Sequence, residues 1–256
     1  MWPFKKKKKY QIHFTCNEWA IRKYAPIQPA KNFPPLAFKE MDAILAKGQH
    51  PLYNRKTVKS CVGIIDYYST GFVIPAWCDI EIMPSPDGRN VNVRYSHPKF
   101  KHEAHPPEVL QTLMSHKFGV RNAIKLDNPW SVWTEEGYGV MYLPMYYYDD
   151  SRNWEAIPGW VDFDLSNVSN PINIMLKEPK HTIIRQGEPL VQLVPIKREK
   201  IEAYTGDHEK TSASRYLGAS YLKMMSFNGW IKHIRDKSKL YIVDAHDTEL
   251  PTDIQK

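Results

Sequence analysis

Apolar residues occur in short runs separated by turn signals along most of this chain. Residues 10–16 (YQIHFTC) alternate apolar and polar positions, the period of a half-buried strand. Pro26, Pro29, Pro34 and Pro35 predict an extended connector with restricted backbone. Phe38, Met41, Ile44 and Leu45 have helical spacing, so residues 36–47 are expected to form a helix that stops at Gly48. Strand-like runs then follow at 62–66, 71–75, 79–83 and 90–95, with turns at 69–71 and 85–88. Residues 97–107, rich in His, Lys and Pro, read as a loop, and 106–116 as one short helix. Further strands are predicted at 130–134, 138–143, 160–162, 172–176, 182–185 and 190–196, punctuated by Gly137, Gly159 and Gly187. About ten short strands at this spacing predict an antiparallel sandwich or barrel. Beyond residue 199 the pattern turns helical: residues 212–235, with Tyr216, Leu217, Ser220, Tyr221, Met224, Phe227, Ile231 and Ile234, are expected to form a helix with a break at Gly229. The expected organisation is a basic N-terminal extension at 1–57 with a connector and one helix, a β core at 58–198, and a C-terminal helical segment at 199–256.

At 256 residues the chain suits one large domain, or one domain with additions. Its 42% hydrophobic and 25% charged content is ordinary for a soluble globular protein. No stretch approaches the ~20 apolar residues of a membrane span, and no secretory signal is visible behind the N-terminal lysines. The formal charge of +7 arises partly from one run, Lys5, Lys6, Lys7, Lys8 and Lys9. That run is expected to be a solvated tail; otherwise it is the candidate contact for nucleic acid or another acidic surface. Cys16, Cys61 and Cys78 form no CxxC pair, which argues against a disulfide framework and fits a reducing cytoplasm.

Few residues carry a recognisable chemistry. His97, His102, His105 and His116, with Glu103 and Glu108, are residue types that zinc accepts. The spacing matches no metal pattern, so they are expected to be solvated; His97, His102 and His105 remain the metal candidates. Cys61 could be a thiolate nucleophile, but no histidine partner is identifiable, and it reads as a small buried residue. No GxSxG, GxxxxGK[ST] or GxGxxG occurs, which removes the elbow hydrolase, P-loop and Rossmann readings. Aromatics cluster at Trp130, Trp133, Tyr138, Tyr142, Tyr146, Tyr147, Tyr148, Trp154 and Trp160. Bases could stack on them, yet Glu135, Glu136, Asp149, Asp150 and Glu155 face only Arg152 in that segment, which disfavours a phosphate track. The run Tyr146, Tyr147, Tyr148, Asp149, Asp150 is expected at a loop tip that marks a protein contact.

Two stretches carry a family likeness: Gly159-Trp-Val-Asp162-Phe-Asp164-Leu165-Ser-Asn167, and Gly187-Glu-Pro-Leu-Val-Gln192-Leu193. They resemble the Gly-Val-Ile-Asp strand and the Gly-Asp-Arg-Ile-Ala-Gln-Leu turn of the trimeric dUTPase and dCTP-deaminase family, in sequence and in interval. Ile74-Pro-Ala-Trp-Cys-Asp79-Ile and Thr134-Glu-Glu-Gly137-Tyr138 resemble that family's early aspartate strand and the turn before its central strand. The resemblance implies a mainly β, dUTPase-like jelly-roll or β-clip core with N-terminal and C-terminal helical additions, and a homotrimer. It also implies that Asp162 stands where the family keeps its water-activating aspartate.

The same alignment shows departures. Leu143-Pro-Met-Tyr-Tyr-Tyr-Asp-Asp150 replaces the family's Pro-Arg-Ser-Ser phosphate motif, and Leu165 and Asn167 replace its sugar-packing Tyr and following Gly. Helical sequence replaces its Gly-rich C-terminal arm. Two acids near a phosphate repel it by roughly 1 kcal/mol or more per close pair. The expectation is therefore the skeleton of a site, with no catalytic residue, cofactor or metal; Asp162 is the catalytic residue only if the chain is an enzyme. The expected binding residues are Tyr146, Tyr147, Tyr148, Asp149, Asp150, Trp154 and Gln192.

The runs IDYYSTGFVIPAWCDIEI, NPWSVWT, GWVDFD and GEPLVQLVPIKRE also resemble a group of tailed-bacteriophage proteins, a likeness that supplies no activity. It implies a location in the host cytoplasm or the virion. Three functions follow. The first is a non-enzymatic phage protein, either a virion component or a module that binds viral or host proteins. The second is a nucleotide enzyme with a remodelled site, and the third a nucleic-acid binder acting through the lysine run.

Overall fold

The structure is a computed structural model of the chain, and it describes residues 10–46, 55–105, 119–120, 122–166 and 168–201. The chain divides into two units, Met1–Arg198 and Glu199–Lys256; the described residues belong to the first, save 199–201. The lysine run, the helices expected at 106–116 and 212–235, and His116, Glu108 and Asn167 lie outside the described residues.

The chain is mainly β, as the spacing of its short apolar runs predicts, and every strand pair among the described residues is antiparallel. A five-stranded sheet runs in the order Gly159–Val161, Tyr138–Pro144, Pro189–Lys197, Phe72–Pro75, Gln28–Pro29. A four-stranded sheet runs Trp154–Ala156, Ile172–Leu176, Ala123–Leu126, His102–His105. Two three-stranded sheets join Ile12–Thr15 to Ser131–Thr134 and Val168–Ser169, and Thr182–Ile184 to Ile80–Pro84 and Val91–Tyr95. Isoleucine, leucine and valine from these four sheets meet in one core around Trp77 and Phe163.

The five-stranded sheet is covered on both faces near its middle. Phe72, Ile74, Val191 and Leu193 point into the main core. Their neighbour Val73 points the other way, into a smaller cluster with Ala30 and Met145, flanked by Phe33 and Tyr148. This explains why Phe72–Pro75 is buried at every position and does not alternate. At the entrance to that strand Gly71 has φ +75°, and a Cβ there would lie 2.0 Å from the Leu193 carbonyl oxygen, so only glycine fits.

Three expected elements differ. Residues 62–66, read as a strand, belong to an α-helix, Val62–Ser69. A short apolar run has no period that separates strand from buried helix, and here tertiary donors decide. Ser69 and Thr70 hydroxyls donate to the carbonyls of Ile65 (2.5 Å) and Asp66 (2.6 Å). The Gln192 amide donates from the central sheet to Tyr67 O (2.8 Å) and Thr70 O (2.6 Å). The last-turn carbonyls, which a helix leaves orphaned, thus find partners.

The helix expected at 36–47 is instead a 3₁₀ turn, Leu36–Lys39, followed by a strand, Ile44–Ala46, paired with Arg55–Lys56. Its carbonyls are claimed by distant donors. Lys59 Nζ reaches Phe38 O (2.6 Å) and Met41 O (2.9 Å), and the Thr57 hydroxyl reaches Asp42 O (2.5 Å). Residues 102–105, read as loop, form a strand because Ala123–Leu126 supplies a ladder. The helix Trp19–Tyr24 and the strands Ala123–Leu126 and Trp154–Ala156 were not anticipated.

Gln192 is 1% exposed, and its amide is spent on the helix. Replacing it by leucine is expected to leave two carbonyls without these donors and to lower stability by about 1–3 kcal/mol. The change is read as a lower urea midpoint with an unchanged slope.

Candidate functional site

Two places bring together residues singled out by the sequence. The first surrounds Asp162. The strand Gly159–Val161 delivers it at the edge of the five-stranded sheet. Its Oδ1 accepts a hydrogen bond from Trp160 Nε1 (2.8 Å) and faces Arg198 Nη1 (3.0 Å). Asp164, whose side chain is 1% exposed, accepts from the Gly137 amide (2.8 Å) and pairs with Arg198 Nη2. The Arg198 backbone amide in turn donates to Gly137 O (2.7 Å). Trp160 lies flat over Gly139: a Cβ at 139 would stand 2.1 Å from the indole Cζ2.

One guanidinium therefore serves two carboxylates at the end of the antiparallel strand pair Tyr138–Pro144 and Pro189–Lys197. One of the two Asp162 oxygens is thus already held by a cation and an indole. Arg198 is the one cation placed against these two carboxylates among the described residues, and both of its arms are used. Leu165 is 75% exposed. Asp162 O accepts from Leu165 N (3.3 Å), an ordinary turn contact.

Asp79 plays a similar part elsewhere. It accepts from the Gln186 backbone amide (2.8 Å) and from Arg185 Nη1 (2.8 Å), tying the start of one sheet to the turn before Pro189–Lys197. Those two partners, the amide first, hold its carboxyl below the ordinary aspartate range.

The second place is a cavity of about 650 Å³ under the turn at 146–150. Tyr146, Tyr147, Tyr148, Asp149, Asp150 and Trp154 all line it. The opposite wall comes from Leu36, Phe38, Met41 and Ile64, on the two segments whose secondary structure the sequence did not disclose. Arg152 lines it as well. The guanidinium sits 3.8 Å from the Trp154 ring centroid and 5.3 Å from that of Tyr148. It also pairs with Glu188 (2.9 Å) and donates to Pro189 O, so the strand Pro189–Lys197 anchors this wall too. Burial lowers the Arg152 pKa, and Glu188 opposes that shift.

Gln192 is not part of either place; it caps the helix. Cys61 is exposed, not buried as its apolar neighbourhood suggested, because residues 62–69 are a helix and not a core strand. His97 is half-buried, its ring 5.0 Å from that of Phe100. Among the described residues no three His, Cys, Asp or Glu side chains gather as a metal site requires, and no helix is long and apolar enough to cross a membrane. Sequence reasoning missed Arg198, Glu188 and Gly139. Their only signals were a basic residue ending an apolar strand, an acid opening it, and a glycine inside another.

No protein-family model matches the chain, and no curated protein matches it in sequence. Solved structures similar to it include a mutant of the dUTPase of phage phi11 of S. aureus, at 10% identity and a TM-score of 0.35, covering 78% of this chain and 99% of that one. A mutant dUTPase of Staphylococcus bacteriophage 80alpha is similar at 9% identity and a TM-score of 0.33, with the same coverage. These are proteins of the family that the sequence resembles. At such scores the likeness assigns no residue a role.

Two outcomes follow from this geometry. Arg198→Ala strands the buried Asp164 and is expected to cost about 3 kcal/mol, whereas Asp162→Asn, at a half-exposed pair, is expected to cost under about 1 kcal/mol. Chemical denaturation of both variants measures the difference. The stabilisation from Asp79 is present in full above the ordinary aspartate pKa and is lost as pH falls through the lowered folded value. The urea midpoint is therefore expected to drop on acidification below about pH 4, and less steeply in Asp79→Asn.

Proposed function

We propose that this chain is a non-enzymatic bacteriophage protein that acts as a protein-binding module. The observation that carries this is the clamp on Asp162. Cleavage of a triphosphate needs cations and donors around the scissile bond. The one guanidinium here is shared between Asp162 and Asp164. The phage assignment rests on the sequence likeness described above, as do work in the host cytoplasm or the virion and assembly as a homo-oligomer. The binding face is the aromatic cavity at the turn 146–150, which Leu36, Phe38 and Met41 line together with Asp149, Asp150, Glu155, Arg152 and Lys177. Its occupant is a segment of a partner protein, viral or host, since exposed aromatic rings such as Tyr146 and Tyr147 favour protein contacts.

Incubation of the full chain with dUTP or dCTP and Mg²⁺, followed by chromatography of the nucleotides, tests the reading. No turnover above buffer is expected. Turnover that Asp162→Ala abolishes would establish an enzyme with a remodelled site instead.

A further inference from the structure

The positive charge of this chain is confined to one end of its sequence. Residues 1–39 hold nine Lys or Arg and a single acid, Glu18, whereas residues 40–256 hold 26 basic and 27 acidic residues. The excess of +7 therefore arises entirely in the first 39 residues. Glu18 does not offset it, because its carboxylate is held by Lys99 (2.6 Å), from outside that stretch. Arg22, Lys23, Lys31 and Lys39 are all exposed.

The same stretch carries exposed aromatic rings. The helix Trp19–Tyr24 buries only Ile21. Trp19 at one end of it is 60% exposed, and Tyr24 at the other is 59% exposed. Their rings meet edge to face, centroids 6.2 Å apart. Lys23 Nζ lies between them, 5.0 Å from the Trp19 centroid and 5.1 Å from that of Tyr24. In the sequence, Trp2 and Phe4 stand directly before the lysine run.

We propose that residues 1–24 attach the protein to an anionic lipid surface. Lysines near such a surface gain Coulomb attraction, and tryptophan and tyrosine settle at headgroup level, with apolar body buried and polar edge wet. A lysine beside them keeps its ammonium among the headgroups while its stem covers apolar surface. The attachment is peripheral: among the described residues no helix is long and apolar enough to cross a membrane. A single-stranded nucleic acid would also meet the lysines, but it gains most where bases stack on open ring faces. Here Lys23 stands over both rings of the helix, and Tyr10 packs on Tyr138 at 5.1 Å. A ring with an occupied face still enters a lipid interface, because that gain needs apolar area and not a free face.

The test is sedimentation of the full chain with vesicles of phosphatidylcholine, alone or mixed with phosphatidylglycerol, over a range of salt. Binding to the anionic vesicles is expected, falling as salt rises, and stronger than to the neutral ones by at least about tenfold. Replacing Lys5, Lys6, Lys7, Lys8 and Lys9 by glutamine is expected to weaken it by at least about tenfold. Trp19→Ser combined with Tyr24→Ser leaves the buried Ile21 in place. This variant is expected to weaken binding by about fivefold at low and high salt alike, since apolar area is not screened. No binding to anionic vesicles, equal binding to neutral ones, or full affinity in either variant would overturn the proposal. So would a single-stranded oligothymidylate that binds more tightly than the anionic vesicles and displaces the protein from them. That outcome would assign the lysine run to nucleic acid.

Discussion

A strand buried on both faces cannot leave a polar side chain idle, and Pro189–Lys197 is such a strand over its first five residues. Leu190, Val191 and Leu193 satisfy the main core. Gln192, on the opposite face, must find acceptors, and it finds them in Tyr67 O and Thr70 O. That requirement holds the helix Val62–Ser69 against the sheet. The helix brings Ile64 to the cavity wall and Tyr67 against Tyr147. At the strand's start Glu188 pairs with Arg152, which lines the cavity. Just past its end Arg198 clamps Asp162 and Asp164. Both candidate sites are thus positioned by one strand.

Three aspartates show how surroundings decide what a carboxylate does. Asp164 is enclosed and takes a guanidinium and an amide, so it works as a structural anchor. Asp162 is half-exposed, yet Trp160 and Arg198 occupy one of its oxygens. Asp150 lines the cavity beside Tyr146, Tyr147 and Tyr148, and its backbone carbonyl receives the Lys177 ammonium at 3.4 Å. Removing Arg198 would affect the first far more than the second, since only the first is buried, with its protein partners all on Oδ2 and none on Oδ1.

Much of the fold was legible because strands with short apolar runs and glycine turns leave a local trace. The runs at 71–75, 79–83, 138–143 and 190–196 all became strands near their expected places. The misses share a physical cause. Residues 36–47 had helical spacing, but Lys59 and Thr57 took the carbonyls that a helix would have used. Residues 62–66 had strand composition, but Gln192 capped them as a helix from more than a hundred residues away. His102–His105 became a strand only because Ala123–Leu126 offered an edge. Tyr146, Tyr147, Tyr148, Asp149, Asp150 and Trp154 were visible as a cluster because they are close in sequence. The wall facing them was not, since Phe38 and Ile64 arrive through those same misread segments.

The segment at 143–150 belongs to both the sheet and the cavity. Leu143 and Pro144 end a strand paired with Gln192 and Val191, while Tyr146, Tyr147, Tyr148, Asp149 and Asp150 line the cavity. The chain turns on itself between the two, with Tyr146 N donating to Pro144 O (2.8 Å) and Tyr148 N to Met145 O (3.0 Å). The side chains that line the cavity are therefore placed by the same ladder that buries Gln192 and leaves its amide to the helix.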